Sequence, residues 1–109
     1  MTREFIMTTV FDKLWDKLNL SDDDLSELQK TIMTNPGIGD IIRGTGGARK
    51  ARFALNNTGK SGGIRVIFVD IPSKHQTYLV LCYSKNRQDD LTTEQSKKVK
   101  SFVETLKGV

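Results

Sequence analysis

An α+β fold, in which a small antiparallel sheet carries two N-terminal helices packed on it and a C-terminal helix, is predicted by three observations. Up to about residue 35 the apolar residues recur at helical spacing. From residue 48 to residue 84 they alternate or run continuously, as in strands, and from residue 92 they return to helical spacing. The order of elements is therefore β-α-α-β-β-β-α. With 109 residues the chain suits one domain, residues 1–109, built around one hydrophobic core.

The stretch FIMTTVFDKLWDKL begins with a short strand around Phe5 to Thr9, and Phe11, Leu14, Trp15 and Leu18 then share one face of a first helix. Ser21, ahead of Asp22, Asp23 and Asp24, is an N-cap with carboxylates in the positive first turn of a second helix. Leu25, Leu28 and Ile32 form its apolar face, and Asn35-Pro36-Gly37 stops it. Three adjacent carboxylates on a helix diverge, so capping explains them better than metal binding. Beyond the glycine-rich GIGDIIRGTGG, the strand ARKARFAL places Ala51, Phe53 and Leu55 on one face and Lys50 and Arg52 on the other. GIRVIFVDI and TYLVLCYSK are rich in β-branched and aromatic residues and read as central strands covered on both faces. NNTGKSGG and PSKHQ are the hairpin turns of an antiparallel meander. Thr92 and Gln95 form a capping box for the last helix, whose apolar face is Val99, Phe102, Val103 and Leu106.

The composition, 37% hydrophobic and 28% charged, is that of a soluble globular protein. No apolar run approaches the roughly 18 residues of a membrane span, and MTREFIMTTV lacks the apolar core of a signal peptide, so a cytoplasmic location is expected, with no membrane partner. Cys82 is the only cysteine, which excludes an intrachain disulfide and a cysteine-based zinc site; within YLVLCY it reads as a small buried hydrophobe. The single histidine, His75, excludes paired-imidazole mechanisms and reads as a solvated turn residue.

Charge is distributed unevenly. Residues 1–40 carry four Lys or Arg against eight Asp or Glu, and the rest carry thirteen against five. Between Ile41 and Val69 there is no acidic residue, while Arg43, Arg49, Lys50, Arg52, Lys60 and Arg65 all fall there. A field of one sign attracts polyanions, which favours a nucleic-acid or phosphate partner over a merely solvated face.

Gly59-Lys60-Ser61 is the triplet that ends a nucleotide-binding P-loop, but the glycine such a loop needs five residues before Gly59 is replaced by Ala54. A P-loop also joins a strand to the helix whose N-terminus receives the phosphate, and this turn joins two strands. The motif is thus no nucleotide cradle. Lys50, Arg52, Lys60, Arg65 and Lys85 lie instead where neighbouring strands bring cations to one phosphodiester chain. Tyr83 shares a face with Lys85 by alternation, either to stack on a base or hold a hydroxyl, or as an aromatic of the core or its rim.

The order of elements and these motifs together resemble the RelE-type toxin superfamily of type II toxin-antitoxin systems, most closely its HigB-like branch. The resemblance is carried by NPGIGDIIRGTGGARKAR, by the Lys-Ser-Gly-Gly-x-Arg run from Lys60 to Arg65, and by YSKNRQDDL, and spans about Phe11 to Val103. It implies a microbial ribonuclease-like fold and a ribosome-dependent endoribonuclease that cleaves mRNA in the A site of the 30S subunit and arrests growth. By the same resemblance Lys50 and Arg52 match the paired basic positions of one strand, Arg65 matches the arginine opening the next, and Lys85 matches a lysine after the last. With Tyr83 these are the expected catalytic residues, and Arg49, Lys60, Asn86 and Arg87 the expected RNA-binding ones. Several relatives have an arginine where this chain has Asn86, with Arg87 one place later. Some also carry a catalytic tyrosine where this chain has Thr92, and Tyr83 is the substitute. The implied partners are a cognate antitoxin, a helix-turn-helix protein of HigA type through which DNA is contacted indirectly, together with the ribosome and mRNA.

The implied reaction, attack of an RNA 2′-hydroxyl on the adjacent phosphate, needs no metal or other cofactor. Guanidinium groups of Arg52 and Arg65 would stabilise the charge that builds on five-coordinate phosphorus. No Glu or His lies in the basic strands to act as an ordinary base. Lysines crowded by other cations release a proton more readily, which makes Lys50 and Lys85 the candidate acid and base. Two other functions fit parts of the pattern: a ParE-like gyrase poison, which retention of the four basic residues opposes, and a non-catalytic RNA-binding module.

Overall fold

The computed structural model describes residues 3–54, 63–85, 88 and 90–108. In chain order the elements are β1 (Glu4–Met7), α1 (Thr9–Lys17), α2 (Asp22–Thr34), β2 (Asp40–Ile41), β3 (Arg49–Phe53), β4 (Ile64–Ile71), β5 (Gln76–Ser84) and α3 (Thr93–Lys107). This is the expected α+β class, with β3, β4 and β5 as an antiparallel meander. Two features extend the expected order. β1 runs parallel to β5, with Phe5 opposite Thr77 and Met7 opposite Leu79, so the sheet is mixed. β2 pairs with the outer edge of β3, Asp40 opposite Lys50; its two exposed residues are too few to carry a sequence period. The sheet order is β1-β5-β4-β3-β2, which leaves β5, β4 and β3 in the interior and β1 and β2 at the edges.

Local chemistry fixes the helix ends. The Thr8 hydroxyl accepts from the Phe11 amide at 3.0 Å and donates to the Val80 carbonyl at 2.7 Å, which caps α1 and ties its start to β5. Ser21 and Asp24 exchange a capping box at 3.1 and 3.0 Å, so the acidic cluster caps α2 through its third member. Thr92 and Gln95 do the same for α3, which ends on Gly108 in the left-handed region. Within the GTGG loop, buried Thr45 donates from its hydroxyl to the Ile42 carbonyl at 2.7 Å and accepts from the Ala48 amide at 3.2 Å, a tight turn that feeds β3. The Lys107 ammonium closes the loop against α3 by donating to the Gly46 carbonyl at 2.8 Å.

Helices cover both faces of the sheet. On one face Phe11 and Trp15 of α1 and Leu28 and Ile32 of α2 pack on Ala51, Phe53, Ile64, Val66, Phe68, Leu79 and Cys82. On the other, Val99 and Val103 of α3 pack on Ile67, Val69, Ile71, Val80, Leu81 and Tyr83. β4 alternates strictly between the faces, whereas β5 carries an extra residue: Ile67 pairs with Leu81 but Phe68 pairs with Leu79, leaving Val80 as a bulge. Cys82 is fully buried, as its apolar setting predicts, and burial pushes its thiol up to about 12. His75 is an exposed turn residue. No described helix is long and apolar enough to cross a membrane.

Candidate nucleic-acid interface

Alternation along β3 sends Ala51 and Phe53 into the core under α1 and α2, which turns Lys50 and Arg52 to the face that α3 covers. The register then decides what meets them. Arg52 stands opposite Arg65 of β4, and Arg65 stands opposite Tyr83 of β5. One row of side chains therefore crosses three strands in the order Arg, Arg, Tyr, with neighbouring Cβ atoms about 5 Å apart. Lys50 belongs to the next row on the same face, opposite Ile67, which itself faces Leu81. That second row runs directly into the apolar cluster beneath α3. The basic residues thus form the margin of the α3 core, with apolar packing to one side.

Each end of the row is held differently. Arg52 is exposed and Arg65 is half-buried. The Arg65 Nε is buried and has no hydrogen-bond partner among the described residues. The guanidinium fork of Arg65 is the kind of donor that binds an oxyanion. Tyr83 is only 8% exposed and packs in the α3 cluster, which leaves little of its ring open for stacking on a base. Lys85 follows β5, its amide reaching the Gly63 carbonyl at 3.5 Å, one step beyond the Ile64–Ser84 pair.

Arg49 is set apart from the others. Its guanidinium donates to the carbonyls of Gly37 and Gly39 at 3.0 and 3.2 Å, bracing the loop ahead of β2. Lys60, Asn86 and Arg87 lie outside the described residues, as do Leu55 and most of the NNTGKSGG turn.

One member of the site is acidic and was not among the expected residues. The Asp90 carboxylate forms an ion pair with the Lys50 ammonium. The hydrogen bond and charge of Lys50 hold the Asp90 carboxyl below its usual range, and the charge of Arg65 acts in the same direction. Gln88 anchors the segment by donating through one nitrogen to the Asp90 carbonyl at 2.8 Å and to the Gln95 side chain at 2.7 Å. Gln95 in turn accepts from the Thr92 amide, so the helix cap and the placement of Asp90 share one hydrogen-bond chain. The sequence signal was the acidic pair in YSKNRQDDL just ahead of the Thr92 cap, but its position over Lys50 depends on how that segment folds back. Beside the ion pair lies a depression of about 170 Å³ lined by Ile42, Lys50, Asp90, Leu91 and Ser96. Among the described residues no group of three or more His, Cys, Asp or Glu is placed to hold a metal ion.

Such a margin, with two guanidinium groups abreast and an ammonium one row away, is suited to binding a phosphodiester and to stabilising added negative charge on it. The family described as the RelE toxin of the RelE / RelB toxin-antitoxin system matches residues 3–109. A mutant of the E. coli toxin RelE in the free state is similar at a TM-score of 0.60 and 18% identity, over 90% of this chain and 97% of that one. The isolated E. coli RelE toxin is similar at 0.55 and 18%, over 93% and 99% of the two chains. The intact E. coli RelBE toxin-antitoxin complex contains a chain similar at 0.55 and 18%, over 76% and 96%. At that identity the solved structures establish a common fold.

Proposed function

The chain belongs to the RelE toxin family, and from that premise we propose that it is the toxin of a type II toxin-antitoxin system, a ribosome-dependent endoribonuclease that cleaves mRNA in the ribosomal A site. The observation that carries this reading is the Arg52–Arg65 juxtaposition, with the Arg65 Nε buried and lacking an acceptor among the described residues. Two like charges set side by side on a sheet are unfavourable alone and become favourable around an anion. Such a pair supports the reading of a phosphate site.

In the proposed reaction the 2′-oxygen of one nucleotide attacks the adjacent phosphorus and its proton passes to a base. The bond to the 5′-oxygen of the next nucleotide breaks, and that oxygen takes up a proton as it leaves. The products are a cyclic phosphate and a 5′-hydroxyl. Arg52 and Arg65 bind the non-bridging oxygens and hold them more tightly as charge accumulates in the transition state. Lys50 and Lys85, at opposite sides of the row, carry the proton transfers. Packing of Tyr83 behind Arg65 keeps the guanidinium in place, a supporting role that suits its burial. The ribosome supplies the orientation of the mRNA that so sparse a set of acid and base groups requires. The phosphate-binding and proton-transfer roles are filled by side chains of the chain itself, without a metal.

The reading includes a cytoplasmic location and an antitoxin partner that silences the toxin, a helix-turn-helix protein in the manner of the HigB-like branch. Primer extension on mRNA from translating ribosomes tests it. Discrete new 5′ ends on translated message, absent from the same RNA without ribosomes, are the expected result. Intact message together with blocked gyrase supercoiling would make the chain a gyrase poison, and intact message with salt-sensitive RNA binding would make it a binding module.

A further inference from the structure

Lys50 is paired before any RNA arrives. Its partner, Asp90, has a side chain 73% exposed, while Lys50 itself is 23% exposed. The backbone at Asp90 is fixed through Gln88 and Gln95, so the carboxylate is carried on an anchored base and extends into solvent over the basic margin. Resting on the reading of that margin as the RNA site, we propose that Asp90 is a built-in counter-ion that occupies the phosphate position in the free protein, holding Lys50 and screening Arg65 until RNA displaces it.

Chemistry and magnitude both support this. A carboxylate and a phosphodiester each present two oxygens and one negative charge, so either satisfies the same cations. The carboxyl is held below its ordinary range by Lys50 first and Arg65 second, so at neutral pH it is a charged competitor and no proton donor. An exposed ion pair is weak, and a polyanion that engages Arg52 and Arg65 as well as Lys50 outcompetes it. In the free protein the pair lessens the repulsion among the cations and keeps Lys50 extended toward the site. Asp90 is therefore a positioning residue that also sets a threshold: weak or monovalent anions meet competition, and a correctly seated strand does not.

The test is fluorescence anisotropy with a labelled short single-stranded RNA whose 2′-hydroxyls are methylated, so that it binds without being cut. Asp90→Asn keeps the shape of an exposed side chain and removes its charge; it should tighten binding about two- to fivefold at low salt, a gain that shrinks as salt is added. Asp90→Glu should bind as the parent does. Glu94→Gln, which removes the same charge from the first turn of α3 without touching Lys50, should leave affinity unchanged. The inference is overturned if Asp90→Asn binds no tighter than the parent, if Asp90→Glu tightens equally, or if Glu94→Gln gives the same gain. Absence of salt-sensitive binding by both the parent and Asp90→Asn would overturn the reading of the RNA site, and this inference with it.

Discussion

Arg52 and Arg65 stand opposite each other on adjacent antiparallel strands, and Tyr83 backs Arg65 from the third. Because Arg65 stands at the margin of the α3 core, truncating it should separate function from folding. Arg65→Ala is expected to melt close to the parental temperature and to lose translation-dependent mRNA cleavage by at least about a hundredfold, the effect typical of removing one oxyanion donor. Arg65→Lys, which has no Nε and no planar fork, should recover only a small part. Thermal melting and primer extension read the two effects separately.

A polyanion bound at this pair should stabilise the fold. Short RNA added at saturating concentration should raise the melting temperature of the parent, since it binds the folded form and not the unfolded one. Arg52→Gln should reduce the RNA-induced rise. Equal rises in parent and variant would remove Arg52 from the anion site.

Gly39 has φ of +81°, and a Cβ there would lie 2.3 Å from the Lys50 carbonyl oxygen. That atom belongs to the backbone of β3 and cannot swing aside. Gly39→Ala should therefore destabilise by about 1–3 kcal/mol in urea unfolding and weaken RNA binding by displacing Lys50. Gly44 has a similar φ of +83°, but a Cβ at that position would meet nothing within 4 Å. Gly44→Ala should cost only the backbone strain, about 1–2 kcal/mol, and leave RNA binding alone.

Cys82 should be inert in the folded protein. Burial raises its thiol from 9.0 to about 12, so the reactive thiolate is scarce at neutral pH, and alkylation by iodoacetamide should proceed only through unfolding. The sign for stability follows. A pKa raised on folding means that the contribution is complete below 9.0 and is lost as pH rises from 9.0 through about 12. Fast labelling in buffer that becomes no faster in urea would contradict this.

Features set by neighbours in sequence were legible there. Ser21 with Asp24 and Thr92 with Gln95 are local capping chemistry, and the alternation that separates Lys50 and Arg52 from Ala51 and Phe53 needs nothing beyond the strand itself. Features set by pairing between distant segments were not. The parallel seat of β1 beside β5 and the addition of β2 are tertiary choices with no local period. Lys50 and Arg52 were legible as cations on one face, but the placement of Arg65 opposite Arg52, and not one residue along, is a property of register. Arg49 looked like its basic neighbours, and only the folded loop shows its guanidinium engaged with Gly37 and Gly39. Asp90 was hidden for the opposite reason, since its sign masked its membership of a basic site.

The bulge at Val80 gives β5 two reading frames. Counting by twos from Tyr83 along an unbroken strand would put Leu79 beneath α3 and Tyr78 beneath α1 and α2. The extra residue reverses this, so Leu79 enters the α1 and α2 core while Tyr78 packs edge-on against Phe102 of α3. The end of the strand that backs Arg65 and the end that anchors β1 are therefore out of phase, and each can be adjusted without rotating the other. Deleting Val80 would force one frame on both: either Tyr83 leaves Arg65 or Tyr78 leaves Phe102, and a change of one residue at the centre of the sheet would be paid for at one of its two ends.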